Sequence, residues 1–341
     1  MRNVYISYIV PCYNIQTYLQ RCLDSLSSQS VENGSAIEYI LVNDGSTDDT
    51  LSLLKEFAEK DKRAIVIDQQ NQGVSAARNA GLRVARGEYV FFLDGDDYLT
   101  DDATQIIYDV CKSNEPDIVV ANAFIVQEGK WDAKKDWKTC FGIESGLFKT
   151  LEFASLVKSL PISFKAYRRE LLENNKIFYN EDLMIGEVYA FFIHAMTCSN
   201  HIAFTDKRIM NYLVRKSSVM RTVDVERDKL IIKTIHDVDE NVRKQMPVLL
   251  DYSSYKLGLY NIVNSFSIFN YVKKSSYTHE IGSLLKAIRK DSIYREVQKY
   301  FICKNFGINR IFFSSLLLNF LPVSIIYYLL RIRNRIKDVL K

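Results

Sequence analysis

The sequence predicts an α/β fold, a mostly parallel sheet flanked by helices, followed by a helical C-terminal region. Three observations carry this prediction. Over about the first 125 residues, apolar runs of strand length alternate with amphipathic segments of helical length. Each run ends in a polar cluster: Pro11–Asn14, Asn43–Ser46, Asp68–Asn71 and Asp94–Asp97. Residues 221–300 are poor in Gly and Pro and read as polar-faced helices.

The elements follow in order. "YISYIVPCYN" reads as a strand ending at Pro11. "IQTYLQRCLDSLSSQ" places Tyr18, Leu19, Cys22, Leu23 and Leu26 on one helical face. "AIEYILVNDGS" is the second strand, and Ser46-Thr47-Asp48 should cap the helix that follows. "AIVIDQQNQG" is a third strand. "VSAARNAGLRVAR" is a helix ended by Gly87, and "EYVFFLDGDD" a fourth strand. "DDATQIIYDVCKSN" and "DIVVANAFIV" add another helix and strand. Residues 126–180 are less regular, with "KWDAKKDW" and "FGIESG" read as loops. The expected organisation is one domain over 1–220, in two halves, 1–125 and 126–220, then a helical region over 221–341.

Composition narrows the function. A chain of 341 residues that is 48% hydrophobic can bury a large core. A net charge of only +4 argues against a nucleic-acid partner. None of the six cysteines forms a C-x-x-C pair, and no His cluster accompanies them, which argues against zinc. "MRNVYISYIVPCYN" reads as a first strand, not a signal peptide, so a reducing cytoplasm is the expected compartment.

Ile311 to Leu330 is an uncharged stretch about long enough to span a bilayer, followed by an Arg-rich tail. Pro322, Ser315 and Asn319 weaken a straight span. The expectation is a membrane-associating segment over 307–341 lying in the cytoplasmic interface, its basic tail on anionic lipid. A buried core helix or a subunit contact remains an alternative.

In parallel sheets ligands bind beyond the carboxyl ends of the strands, so the four polar clusters should share one rim. Asp94, Asp96 and Asp97 suit a hard divalent cation, Mg²⁺ or Mn²⁺, completed by water and substrate phosphate. Taken alone, a solvated turn with Asp97 or Thr100 as helix cap explains them as well. Asp44 can accept an imide N–H from a base, and Tyr13 offers a stacking face. Arg78 suits a phosphate, though a surface ion pair would also account for it. Together these define a nucleotide-diphosphate site. Neither G-x-G-x-x-G after the first strand nor G-x-x-x-x-G-K-[ST] is present.

"ISYIVPCYNIQTYLQRCLDSL", "YILVNDGSTDDT" and "NQGVSAARNAGLRVARGEYVFFLDGDD" resemble glycosyltransferase family 2, inverting enzymes of the Rossmann-like GT-A fold, here of bacterial exopolysaccharide, capsule or O-antigen type. The resemblance is dense over 4 to about 125 and weaker to about 220. It implies a nucleotide-sugar donor, often a UDP-sugar, and a divalent metal. Carried over, Pro11, Tyr13 and Asp44 hold the base, with Asn14 beside them. Asn71 and Arg78 help hold the nucleotide, Asp94 the ribose and a metal water, and Asp96 the metal. Asn43 stands where many relatives have Asp.

The acceptor hydroxyl needs a base. "FYNEDLMIGEVYAFF" resembles the family's acceptor segment, usually G-E-D before an apolar helix, so Val188 replaces the expected acid. Glu187 is the first candidate, then Asp182, with Glu181 beside it. "MNYLVRKSSVMR" resembles another family stretch, in which Arg215 could clamp the diphosphate and Leu213 replaces an Arg. His194 and His201 read as packing or surface residues.

The expected protein adds one sugar to a glycan acceptor, lipid-linked, at the inner face of the cell membrane. A processive synthase is disfavoured by the absence of Q-x-x-R-W. A nucleotidyltransferase would open with a Gly-rich loop. A non-catalytic nucleotide-sugar-binding partner is the alternative that Val188 keeps open.

Overall fold

The computed structural model describes residues 4–32, 36–138, 140, 143–160, 164–215, 229–267, 287–288 and 290–303. The segment 307–341 lies outside them. The chain divides into two compact units, Met1–Asp182 with Glu187–Lys216, and Leu183–Gly186 with Ser217–Lys341.

The first unit is built on β1 (Val4–Cys12), β2 (Ala36–Asp44), β3 (Ala64–Gln69) and β4 (Tyr89–Phe92), parallel in the order β3-β2-β1-β4. Their connections are α1 (Gln16–Ser27), α2 (Thr50–Lys60) and α3 (Val74–Val84), as the alternating pattern predicts. β1 and β2 read as nearly continuous apolar runs because both faces of these strands are covered. α1 buries Leu19, Cys22, Leu23 and Leu26 at helical spacing. Tyr18 is only half buried, and its hydroxyl donates to Glu128 Oε1 at 2.7 Å.

Beyond β4 the sheet becomes mixed. After β5 (Tyr98–Leu99) and α4 (Ala103–Asn114) come β6 (Ile118–Gln127), β7 (Lys130–Trp137) and β8 (Gly146–Lys149). Then follow α5 (Thr150–Leu156), β9 (Lys165–Arg168), α6 (Arg169–Asn174), α7 (Glu187–Cys198) and β10 (His201–Val214). β9 joins β4 to β6 antiparallel to both, and β10 runs parallel to β6.

Two local expectations change. "KWDAKKDW" is a strand, β7, paired antiparallel with β6. Its polar composition misleads because most of this strand is exposed. Of the expected cap Ser46-Thr47-Asp48, Ser46 does not serve α2: its hydroxyl accepts the Asn14 N–H at 3.1 Å. Asp48 does reach the helix start, taking the Thr50 N–H at 3.0 Å, and it takes the Gln16 N–H at 3.1 Å, tying the two turns together.

The second unit contains α8 (Ile231–Gln245), a 3-10 turn (Pro247–Asp251), α9 (Ser253–Ser267) and α10 (Ser292–Cys303). α8 buries Ile231, Thr234, Ile235, Val238 and Val242, an i, i+3, i+4 stripe. The Thr234 hydroxyl donates to the Ile185 carbonyl within this unit. Among the described residues no helix is long and apolar enough to cross a membrane.

Candidate active site

Strand register puts the polar clusters on one rim. Cys12 lies opposite Asn43, Asn43 opposite Asp68, and Ile9 opposite Phe92. Asp44 ends β2 and is buried. Its Oδ1 accepts Gln69 Nε2 and the Gln72 N–H at 2.8 and 2.9 Å, and its Oδ2 accepts the Gly73 N–H at 2.9 Å. A carboxylate has about four lone-pair sites, so one remains after these three bonds. Asn14 Oδ1 accepts the Thr47 N–H at 2.8 Å. Tyr13 is 49% exposed, its ring available at the surface. Asn71 is exposed, while Pro11 is buried in β1 opposite Val42.

Gly45 makes the approach of these turns possible. Its φ is +71°, and a Cβ there would stand 2.6 Å from the Asn71 backbone nitrogen. Gly45→Ala is therefore expected to cost more than about 1 kcal/mol by displacing residues 69–73. Thermal melts check it; an unchanged melting temperature refutes it.

The acidic turn is tightly packed. A Cβ on Gly95 would lie 2.3 Å from Ile15 Cδ1. Arg78 emerges from α3 with its side chain 4% exposed, and it bridges two carboxylates. Nη2 donates to Asp94 Oδ1 at 2.8 Å and Nη1 to Glu187 Oε1 at 3.0 Å. Burial works against the guanidinium's charge, but Asp94, Tyr179 and Glu187 outweigh it and hold Arg78 firmly protonated. Its plane also lies 5.0 Å from the Tyr179 ring centroid.

Asp96 faces Arg215, whose Nε is 2.7 Å from Oδ2. Burial first, and Asp94 second, push the Asp96 carboxyl up to about 6, with Arg215 opposing them. Since this exceeds the ordinary 3.8, Asp96 favours folding fully below its unfolded value and loses that contribution as pH rises through about 6. Metal-free Asp96→Asn should accordingly gain melting temperature over wild type at pH 8, with the gain shrinking toward pH 4.5. A pH-independent difference overturns this assignment.

Asp97 is buried, and its Oδ1 accepts the Leu213 N–H at 2.8 Å. Burial, then Asp96 and Asp94, push its carboxyl up. It anchors β10 to the acidic turn and does not cap a helix; the residue preceding α4 is Asp102.

Glu187 opens α7, and the shared Arg78 guanidinium ties it to Asp94. Glu181 Oε1 instead accepts Asn79 Nδ2 at 2.9 Å and lies 3.9 Å from Arg83. Asp182 is exposed, and its N–H donates to Asn180 Oδ1 at 3.1 Å. Val188 is half buried on α7. Sequence reasoning missed Asn79, which also donates to the Tyr179 carbonyl at 2.9 Å and accepts its N–H at 2.8 Å. Its place beside Arg78 in "ARN" was the available signal. Nothing local pointed to Tyr179 or Glu128.

The donor set suits a hard cation that keeps most of its ligands elsewhere. Asp94 and Asp96 offer carboxylate oxygens, with guanidinium groups already against them. Among the described residues, no group of three or more His, Cys, Asp or Glu could hold a metal ion. Two carboxylates suit Mg²⁺ or Mn²⁺ shared with water and phosphate by their hard oxygen donors.

Comparison with known proteins agrees with this architecture. The family model for glycosyl transferase family 2 matches residues 7–175. The chain is 32% identical over 228 residues to glycosyltransferase GlyA of Streptococcus pneumoniae, covering 63% of this chain and 31% of GlyA. It is 30% identical over 235 residues to GlyG of the same organism, covering 64% of this chain and 73% of GlyG. The crystal structure of S. aureus TarS 1-349 with UDP-GlcNAc aligns with a TM-score of 0.68 at 20% identity, over 89% of this chain and 85% of that one. Fold and matches together define a glycosyltransferase. The chain belongs to glycosyltransferase family 2, with the α/β GT-A architecture. It spans less than a third of the length of GlyA.

Proposed function

We propose that this glycosyltransferase moves a single sugar from a nucleotide-diphosphate sugar, UDP-linked, to a glycan acceptor during bacterial cell-surface polysaccharide synthesis. The acceptor is lipid-linked, and the 307–341 segment holds the enzyme at the inner membrane face. The catalytic domain is 1–220. The observation that carries the reading is the Arg78 bridge, which holds Asp94 at the donor rim and Glu187 at the start of α7 across one guanidinium. TarS, which shares the fold, holds UDP-GlcNAc.

In this reading Tyr13 and the remaining acceptor site of Asp44 receive the base, with Pro11, Asn14 and Asn71 shaping its pocket. Asp94 and Asp96 would hold Mn²⁺ or Mg²⁺. A bound cation supplies positive charge to the departing diphosphate. Glu187 takes the proton of the acceptor hydroxyl as it attacks the anomeric carbon from the opposite face, inverting it. Arg78 fixes one Glu187 oxygen, leaving the other for the acceptor. Arg215 meets the leaving diphosphate.

A screen of nucleotide sugars for binding, with and without Mn²⁺, tests the donor. UDP-sugars are expected to bind more tightly with the metal; a metal-independent preference for another nucleotide refutes the UDP reading. Glu187→Gln is expected to reduce transfer on the order of 10²- to 10⁴-fold, as loss of a general base does. Asp182→Asn should leave the rate near wild type, and the reverse pattern moves the base to Asp182.

A further inference from the structure

The site contains two guanidinium groups, held in different ways. Arg78 is buried, and both its terminal nitrogens donate to carboxylates. Arg215 lies 2.7 Å from Asp96 through Nε, but among the described residues that N–H has no aligned hydrogen-bond acceptor. The contact is therefore charge against charge, without the directed bonds that lock Arg78. The Arg215 guanidinium also lies 5.0 Å from the Tyr18 ring centroid, a face that tolerates sliding. The backbone before it is pinned. Leu213 donates to Asp97, and the Val214 carbonyl accepts the Glu128 N–H at 3.2 Å. A change of partner at Arg215 thus needs only its side chain to move.

We propose that Arg215 and the divalent cation compete for Asp96, so that cation entry releases Arg215 to the phosphates of the donor. The proposal rests on the metal reading above. Asp96 is largely covered, and a guanidinium and a divalent ion on the same carboxylate repel strongly where water screening is reduced. The guanidinium leaves, and the nearest incoming negative charge is the diphosphate. Asp96 is then neutralised by Arg215 in the empty enzyme and by the cation in the loaded one. Cation and nucleotide consequently bind cooperatively, and the coupling is reciprocal.

The test measures Mn²⁺ affinity by electron paramagnetic resonance for the full chain, Arg215→Gln and Asp96→Asn, at pH 8, with and without UDP. Without UDP, Arg215→Gln is expected to bind Mn²⁺ about two- to fivefold more tightly than wild type, the scale of a partly exposed ion pair. UDP should then improve its Mn²⁺ affinity by a smaller factor than in wild type. If Arg215→Gln binds Mn²⁺ no more tightly than wild type while Asp96→Asn has lost it, competition is overturned and the metal site stands. If Asp96→Asn binds Mn²⁺ like wild type, the metal reading fails, and the exchange with it.

Discussion

Asp96→Asn is expected to lower sugar transfer roughly 10³-fold at saturating donor while leaving the fold intact. Charge stabilisation of a departing group by a bound cation is worth several kcal/mol, and each 1.36 kcal/mol is a factor of about ten in rate. Asn keeps the shape of Asp and removes the charge. The loss should therefore appear in the rate and in Mn²⁺ affinity, not in the circular dichroism spectrum. Initial rates and Mn²⁺ binding check it together. A variant that transfers sugar like wild type would falsify the assignment of Asp96 as a metal ligand. The same substitution is expected to stabilise the metal-free protein at pH 8, because burial first, and Asp94 second, make an ionised carboxylate unfavourable there. Activity and stability should thus move in opposite directions.

The second large effect concerns Arg78. Arg78→Met removes the guanidinium that joins Asp94 to Glu187 and leaves Glu187, 15% exposed, without its cation. Breaking a buried ion pair on one side costs about 3–5 kcal/mol; the lower figure applies here because Asp94 is 47% exposed and keeps water. At about 2–4 °C per kcal/mol for a domain of this size, melting should fall by roughly 6–12 °C. Transfer should fall as well, because both carboxylates lose their orientation. Arg78→Lys restores charge but not the two-pronged geometry, so it should recover part of the stability and little of the rate. Scanning calorimetry and steady-state kinetics separate the two. Equal recovery of both by Lys refutes a positioning role and leaves only charge.

The fold of the first 125 residues was readable because its signals are local. Alternating strands and helices dictate parallel pairing, and parallel pairing puts every strand's carboxyl end on one side. Pro11 to Asn14, Asn43 to Ser46 and Asp94 to Asp97 could be assigned to one rim before any register was known. The interior of 126–180 was less readable. β7 carries five charged residues in "KWDAKKDW", and an exposed strand paired along β6 does not need the apolar alternation that marks a strand. The capping role given to Ser46 failed for a related reason: its hydroxyl found a nonlocal partner, Asn14, that no helix-start pattern encodes.

By itself the sequence determined the α/β architecture, the polar rim and the acidic turn, since strand polarity and residue type suffice for each. Only the tertiary structure decided how those residues are used. It joined Arg78 to Glu187 across 109 positions of sequence, placed Arg215 on Asp96, and turned Asp97 into the anchor of β10. The physical reason is that a buried charge must find a partner, and the partner is set by which surfaces the fold brings together, not by neighbours in the chain.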